Sequence, residues 1–366
     1  MGLFSRKIEA QAAPQVLGDR LFVPNPLNLT AVTRNEAMTV PSVARCRNLI
    51  AGTIASIPME LYKKSTGEEL GKPVWLEQPS YHQPRSVTLA WTVDSLIMWG
   101  VAYWRVVEVY QEDGRPARFE WVANSRVSTQ LDALNNYVKS YAVDGTQVPN
   151  DGLGSLITFQ AFDEGILARG GSTIRAAIDV QNAARVAAST PSPVGYLKNN
   201  GADLPPAEVQ SLLAAWRAAR QQRSTAYLTS TLSYETVGFS PKDMLYNEAI
   251  QNLSTEISRL MNVPSYLLSA DQNTSMTYSN IQDERKQFVA LSLQPYISAI
   301  EDRLSMNDVT ANGNIVRFAV ADTFLRHNPL DELAVIEKLL QLQLITTEQA
   351  MEMTDLTPNG AEGMLS

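Results

Sequence analysis

FSPKDMLYNEAIQNLSTEISRLMNVPSYLLS (239–269) is the stretch on which the reading of this chain turns. Within it, Leu245, Ala249, Leu253, Ile257, Leu260 and Met261 recur at helical spacing and predict one apolar stripe on a helix over 241–262. Asn247, Gln251, Ser254 and Ser258 form the opposing polar stripe. Val263–Pro264 breaks the helix, because the residue before a proline is pushed out of the helical region. The segment 263–277 that follows is polar, and Asp271 is its sole charge. A second long helix is expected over 278–306, with Ile281, Phe288, Leu291, Ile300 and Leu304 on its buried side. Pro295 lies inside that helix and predicts a kink.

Upstream of this core feature the chain reads as α+β. Residues 1–35 carry Pro14, Pro24 and Pro26 without periodicity and read as an irregular arm. Val43, Cys46, Ile50, Ile54 and Ile57 predict a helix after Pro41, in which Cys46 is a small core residue. MELYKK (59–64) alternates like a strand. A helix over 87–99 stops at Gly100, and YWRVVEVY (103–110) forms a hairpin with RFEWV (118–122) through EDGRP. YVKSYAV (137–143) and LITFQ (156–160) are further strands. A helix over 168–189 follows, with Ser172 as N-cap and Ile174, Ile178 and Val186 on its apolar side. Arg175, Asp179, Asn182 and Arg185 line its other face.

Between the two helices lies an insert, 192–240. Its helix starts at Pro205–Pro206 and buries Val209, Leu212, Leu213 and Trp216. STAYLTS and LSYETVGF are expected to follow as two short strands. Downstream, NIVRFAV (314–320) reads as a strand, and 330–366 as two short helices carrying seven acidic residues against Lys338 alone.

Composition bounds the function. The chain has 366 residues, 45% of them hydrophobic, enough for sizeable cores. Net charge is −8, which argues against a tight, sequence-independent DNA binder. One cysteine and two histidines, His82 and His327, leave no material for a disulfide framework, a zinc site or a histidine triad. No apolar run approaches the ~18 residues of a membrane span. The opening MGLFSRK has no apolar core of a secretion signal, and Arg6 departs from the myristoylation pattern, so a soluble protein of a reducing compartment is expected.

Chemistry-bearing motifs are absent. There is no Walker loop, G-x-S-x-G, H-E-x-x-H or EF-hand loop. DGLGS (151–155) lacks the third glycine of a dinucleotide loop, and GGS (170–172) reads as a helix start rather than a phosphate cradle. Asp163–Glu164 and Asp283–Glu284 are sequence neighbours, which point apart on a helix and make no acid/base pair. No catalytic residue, metal ligand or cofactor is expected.

The order of these elements resembles the portal proteins of tailed bacteriophages, specifically the broad siphophage-type portal family, over about 36–358. SVARCRNLIAGTIASIPMELYK (42–63) looks like the family's opening helix and strand, WGVAYWRV (99–106) like its G-x-A-Y strand, and GGSTIRAA (170–177) like the turn before its first stem helix. The most specific part is Ser-Pro-x-Asp at 240–243, a helix, then x-V-P-x-x-L-L at 262–268. YSNIQDERKQF (278–288), LQPYISAIEDRL (293–304) and LITTEQAMEMTDLTP (344–358) continue the likeness.

The resemblance implies a subunit of a ring, usually of twelve. It divides the chain into an arm (1–35), a wing (36–170, with a return strand in 307–329), stem helices (171–191 and 241–262), a clip (192–240), a tunnel loop (263–277), a kinked tunnel helix (278–306) and a reduced crown (330–366). Gln272, Asn273, Thr274 and Ser275 would line the DNA channel. Their short, uncharged side chains suit a duplex that must slide, since each phosphate neutralised by Lys or Arg adds affinity. Arg217, Arg220 and Arg223 fall along one helix face and would dock the terminase large subunit or, later, a head–tail adaptor. Double-stranded DNA, a major capsid protein or scaffold, and no membrane complete the implied partners. The implied location is the virion's portal vertex, and the host cytoplasm during assembly. Two other readings stay open: another virion structural connector, and an α+β enzyme with a helical lid.

Overall fold

Ile57 and Pro58 mark the first corner of the fold. The helix before them, α2 (Pro41–Ser56), has proline at its first turn and buries Val43, Cys46, Ile50 and Ile54, the positions its sequence spacing selects. Ile57 is extended, as a residue before proline must be, and β1 (Met59–Lys63) follows. The computed structural model describes residues 32–132, 138–189, 195–221, 228, 230–236, 246–268, 286–320 and 329–354. A short helix, α1 (Arg34–Met38), precedes α2. Thr33 and Glu36 close a capping box at its start, so ordered structure begins inside the stretch read as an irregular arm.

Next come β2 (Glu69–Leu70), α3 (Val74–Glu77) and α4 (Arg85–Trp99), which Gly100 terminates in the left-handed conformation, φ 72°. α4 packs against α2. β3 (Val101–Val109) is the centre of a sheet ordered β4–β3–β8, with β4 (Pro116–Val122) and β8 (Leu156–Gln160) antiparallel on either side. Both faces of β3 are covered. Ala102, Trp104 and Val106 join the main core, while Val101 and Tyr103 join a second cluster. This explains the unbroken apolar run VAYW, whose first two residues extend the strand beyond the expected start. The second cluster is shared with a three-stranded sheet of β5 (Val127–Leu131), β6 (Val138–Val143) and β7 (Thr146–Gln147). Trp104 Nε1 donates to Thr92 Oγ1 at 2.7 Å, satisfying its one polar atom inside the core.

After β8, Gly165 adopts φ 78° and lies so close to the α4–β3 corner that a Cβ there would sit 2.6 Å from the Met98 carbonyl oxygen. A short helix, α5 (Ile166–Arg169), leads into α6 (Gly171–Ser189). Ser172 is therefore the second residue of α6 and not its N-cap; Gly170, which ends α5, stands before the helix. Ile174 and Ala177 are buried, but Val186 is 59% exposed, so the expected apolar side reaches only partway along α6.

The insert contains β9 (Gly195–Asn199), α7 (Pro206–Gln221) and β10 (Leu232–Thr236). β10 pairs antiparallel with β9, a strand the sequence reading passed over. STAYLTS lies almost wholly outside the described residues. Leu212 and Trp216 are half-buried, Trp216 stacking on Tyr234 at 5.2 Å, whereas Val209 and Leu213 stay exposed on this chain. One helix on two strands has too little interior to cover all four.

α8 (Tyr246–Leu260) packs on α6 and α2. The long helix beyond it is described from Lys286. It passes through a π-turn at Val289–Leu293 and continues as α9 (Gln294–Leu304). β11 (Asn314–Phe318) then returns to pair with β1, Met59 opposite Phe318. Helices Pro329–Gln341 and Thr347–Thr354 follow and contact each other.

Candidate functional site

Gly170 lets α8 approach the start of α6: the place where its Cβ would be is 3.1 Å from Leu260 Cδ1. Arg169 secures the contact. Its guanidinium donates to the Leu260 carbonyl at 2.5 Å and pairs with Asp163, whose other oxygen accepts the Gly165 N–H at 2.8 Å. A cation on the last carbonyls of a helix also suits the helix dipole. Further along α8, Ser254 and Ser42 share a hydroxyl bond of 2.8 Å, and Ser258 is buried, bonding to the Thr255 carbonyl. The stripe expected to face away thus faces α2 in part. Serine hydroxyls satisfied locally can be buried at low cost.

α8 ends in a Schellman motif. The N–H of Val263 bonds to the Ser258 carbonyl at 2.9 Å, that of Asn262 to the Arg259 carbonyl at 3.2 Å, and Asn262 is left-handed at φ 53°. Val263 is buried, and a 3₁₀ turn, Ser265–Leu267, carries the chain out to Leu268.

The opposite foot is the π-turn. Pro295 has no N–H for the Leu291 carbonyl, and its ring crowds that oxygen. The backbone widens, and Gln294 N–H reaches back five residues to the Val289 carbonyl. One residue more per turn rotates Leu291 outward, to 56% exposure, while Val289, Ser292 and Leu293 turn inward. This corrects the expected buried position of Leu291; Phe288, Ile300 and Leu304 are buried as their spacing indicates, and Ile281 lies outside the described residues. The Asn262 side-chain amide donates to the Leu291 carbonyl, and the Ser292 hydroxyl donates to the Asn262 carbonyl at 2.5 Å. The two helices are joined at this point. A cleft of about 400 Å³ opens beside it, with Phe162, Arg169, Arg259, Leu291 and Tyr296 on its walls. Burial, with the Asp163 carboxylate adding to it, holds the Tyr296 phenol above its ordinary range.

Gln272, Asn273, Thr274 and Ser275 lie outside the described residues, between these two feet. Arg217 is exposed on α7; Arg220 belongs to the same helix, and Arg223 lies outside the described residues. His82 sits in the turn before α4, and His327 and Asp283–Glu284 fall outside the description. Among the described residues, no group of three or more His, Cys, Asp or Glu could hold a metal, and no helix is long and apolar enough to cross a membrane. Sequence reading missed Asn262 as a structural partner of Leu291. The available signals were an asparagine just past a helix end and a proline four residues beyond a carbonyl, each common by itself.

Known proteins carry the same architecture. The profile of the family described as phage portal protein matches residues 41–355. The chain is 25% identical over 364 aligned positions to a probable portal protein of Streptomyces phage phiC31, covering 89% of this chain and 77% of that one. A crystal structure of an HK97-family phage portal protein from Corynebacterium diphtheriae superposes with TM-score 0.65 at 23% identity, covering 81% of this chain and 99% of the other. A subunit in the neck of a native gene transfer agent particle, computed with C12 symmetry, superposes with TM-score 0.60 at 16% identity over 91% and 95%. A family match running from the first turn of α2 to the end of the C-terminal helix pair, on a fold shared with these structures, establishes that this chain belongs to the phage portal protein family.

Proposed function

We propose that copies of this chain, twelve by analogy with the C12 neck, form a ring at one capsid vertex through which DNA is packaged and later ejected. The observation that carries this reading is that the ends of α8 and of the π-kinked helix are joined on either side of the polar sequence 269–277, inside a chain of the portal family. A heterologous ring interface closes by rotation and buries two different faces of each subunit. The low charged fraction, 19%, and the exposed Val209 and Leu213 of α7 fit a chain whose surface is completed by neighbours.

In this reading the loop residues Gln272–Ser275 meet the duplex without gripping it. The clip, 192–240, faces outward, and its Arg217, Arg220 and Arg223 meet the terminase large subunit or, later, the head–tail adaptor. The hydrolysis of ATP belongs to the terminase, and this chain acts as a conduit rather than an enzyme. Coat or scaffold protein contacts the wing, and assembly takes place in the host cytoplasm before the ring becomes part of the virion. The acidic C-terminal helices face packed DNA, which they repel.

Native mass spectrometry with negative-stain imaging of the purified protein tests the reading. Rings of about a dozen subunits with a central hole are expected, by themselves or on co-expression with the coat protein. A chain that stays monomeric in both preparations would refute the proposal. Charge reversal at the three arginines should abolish terminase binding and leave the ring intact.

A further inference from the structure

We infer that Asn262 is a positioning residue that clamps the end of α8 to the π-turn at Val289–Leu293. The clamp stands on geometry alone; its consequence for DNA rests on the channel reading given above.

Three observations converge on this residue. First, the π-turn frees the Leu291 carbonyl from the helix ladder, because the residue four positions on is Pro295. An exposed carbonyl could take water, yet here it takes the Asn262 amide from another helix. Second, Ser292 returns a bond to the Asn262 carbonyl at 2.5 Å, so the two strands of chain are tied in both directions. Third, Asn262 occupies φ 53° at the end of α8. Only glycine, asparagine and aspartate adopt that conformation at little cost. Glycine would cap α8 but has nothing to donate. Aspartate would keep the shape but could only accept. Asparagine alone of the three both ends the helix and reaches the freed carbonyl.

The clamp lies on the wall of the cleft, beside Leu291 at 56% exposure. The Asn262–Leu291 bond is exposed while Ser292 is buried, and exposed bonds at the end of an element open more readily than those of a core. The end of α8 and the π-turn are therefore held together by one exposed bond and one that is anchored on a buried side chain.

The test is hydrogen exchange by mass spectrometry on the full-length chain, comparing wild type with Asn262→Gly and Ser292→Ala. The glycine keeps the left-handed cap and deletes only the amide; the alanine leaves the backbone untouched. Amides of 263–268 and 286–294 should exchange about fivefold faster in each variant, the weight of one neutral hydrogen bond, with α2 and α4 unchanged. Unchanged exchange at both feet would overturn the inference. A rise spread evenly over the chain would overturn it too, as it would signal general weakening. Lysines placed at 272–275 test the channel reading separately: normal packaging in that variant would remove the channel role, while fast exchange in Asn262→Gly would still uphold the clamp.

Discussion

Glu301 Oε1 accepts the backbone N–H of Phe318 at 2.7 Å, with the residue 6% exposed. One turn on, Ser305 Oγ, at the C-cap of α9, accepts the N–H of Val316 at 2.9 Å. β11 is an edge strand whose other side pairs with β1. Two helix residues four apart thus satisfy two strand residues two apart, because one helical turn nearly matches two strand residues in length. The edge is closed without another strand. Burial pushes the Glu301 carboxyl above its ordinary value of 4.5, outweighing the Phe318 bond and the Arg317 guanidinium at 2.9 Å.

The sign of the pH dependence follows. A carboxyl whose folded pKa is raised binds its proton more tightly in the native state. Its contribution is fully present below about 4.5 and is lost as pH rises through the raised folded value. Urea midpoints measured upward from pH 4, at fixed protein concentration, should fall less steeply in Glu301→Gln than in wild type. Glu301→Ala, which leaves the Phe318 N–H buried and unpaired, should lose about 2–3 kcal/mol.

Asp94 should be the costliest single charge to remove. It is fully buried on α4, and Arg34 and Arg47 reach it at 2.8 and 2.7 Å while lying over the Trp91 ring at 5.0 and 5.6 Å. Asp94→Ala leaves two guanidinium groups without their carboxylate, and a loss of about 3–5 kcal/mol is expected in urea unfolding. Arg34→Ala should cost less, since Arg47 remains.

Cys46 should be inert in the folded chain. It has no exposed surface, and burial pushes its thiol up to about 12. A disulfide reagent at pH 8 should react with less than a tenth of the thiol in an hour, and with one thiol per chain after denaturation. Full reaction in the native protein would contradict the packing of α2 described here.

Four lysines in place of Gln272, Asn273, Thr274 and Ser275 should slow DNA packaging and make it strongly salt-dependent, since each new phosphate contact adds a counterion-release term. Packaging rates at two salt concentrations check this. An unchanged rate would place the channel wall elsewhere.

Much of the fold was legible because the core-facing positions follow simple periods. Val43, Cys46, Ile50 and Ile54 on α2 are spaced for a helix and are buried as such. The β3–β4 hairpin was equally plain, with a glycine turn between two aromatic runs. The failures share a cause. Leu291 was placed by counting 3.6 residues per turn through a helix that contains a wider turn, so the phase was lost at Pro295. Val209 and Leu213 were assigned to a core that this chain does not supply. β9 went unread because GYLKN is short and follows two prolines. The ion pairs of Asp94 and the bond from Asn262 to Leu291 join residues far apart in sequence, and no local pattern encodes such meetings.

The pairing of β1 with β11 has a consequence for how the chain is made. Met59 leaves the ribosome 259 residues ahead of Phe318, its register partner. At roughly 5–20 residues per second, the first strand waits for tens of seconds with that edge open. During synthesis the nascent α2–β1–β2 unit must stay soluble with one of its three strands missing. β11 is the strand that seals it, so chains truncated before Asn314 should be the aggregation-prone species when the protein is expressed.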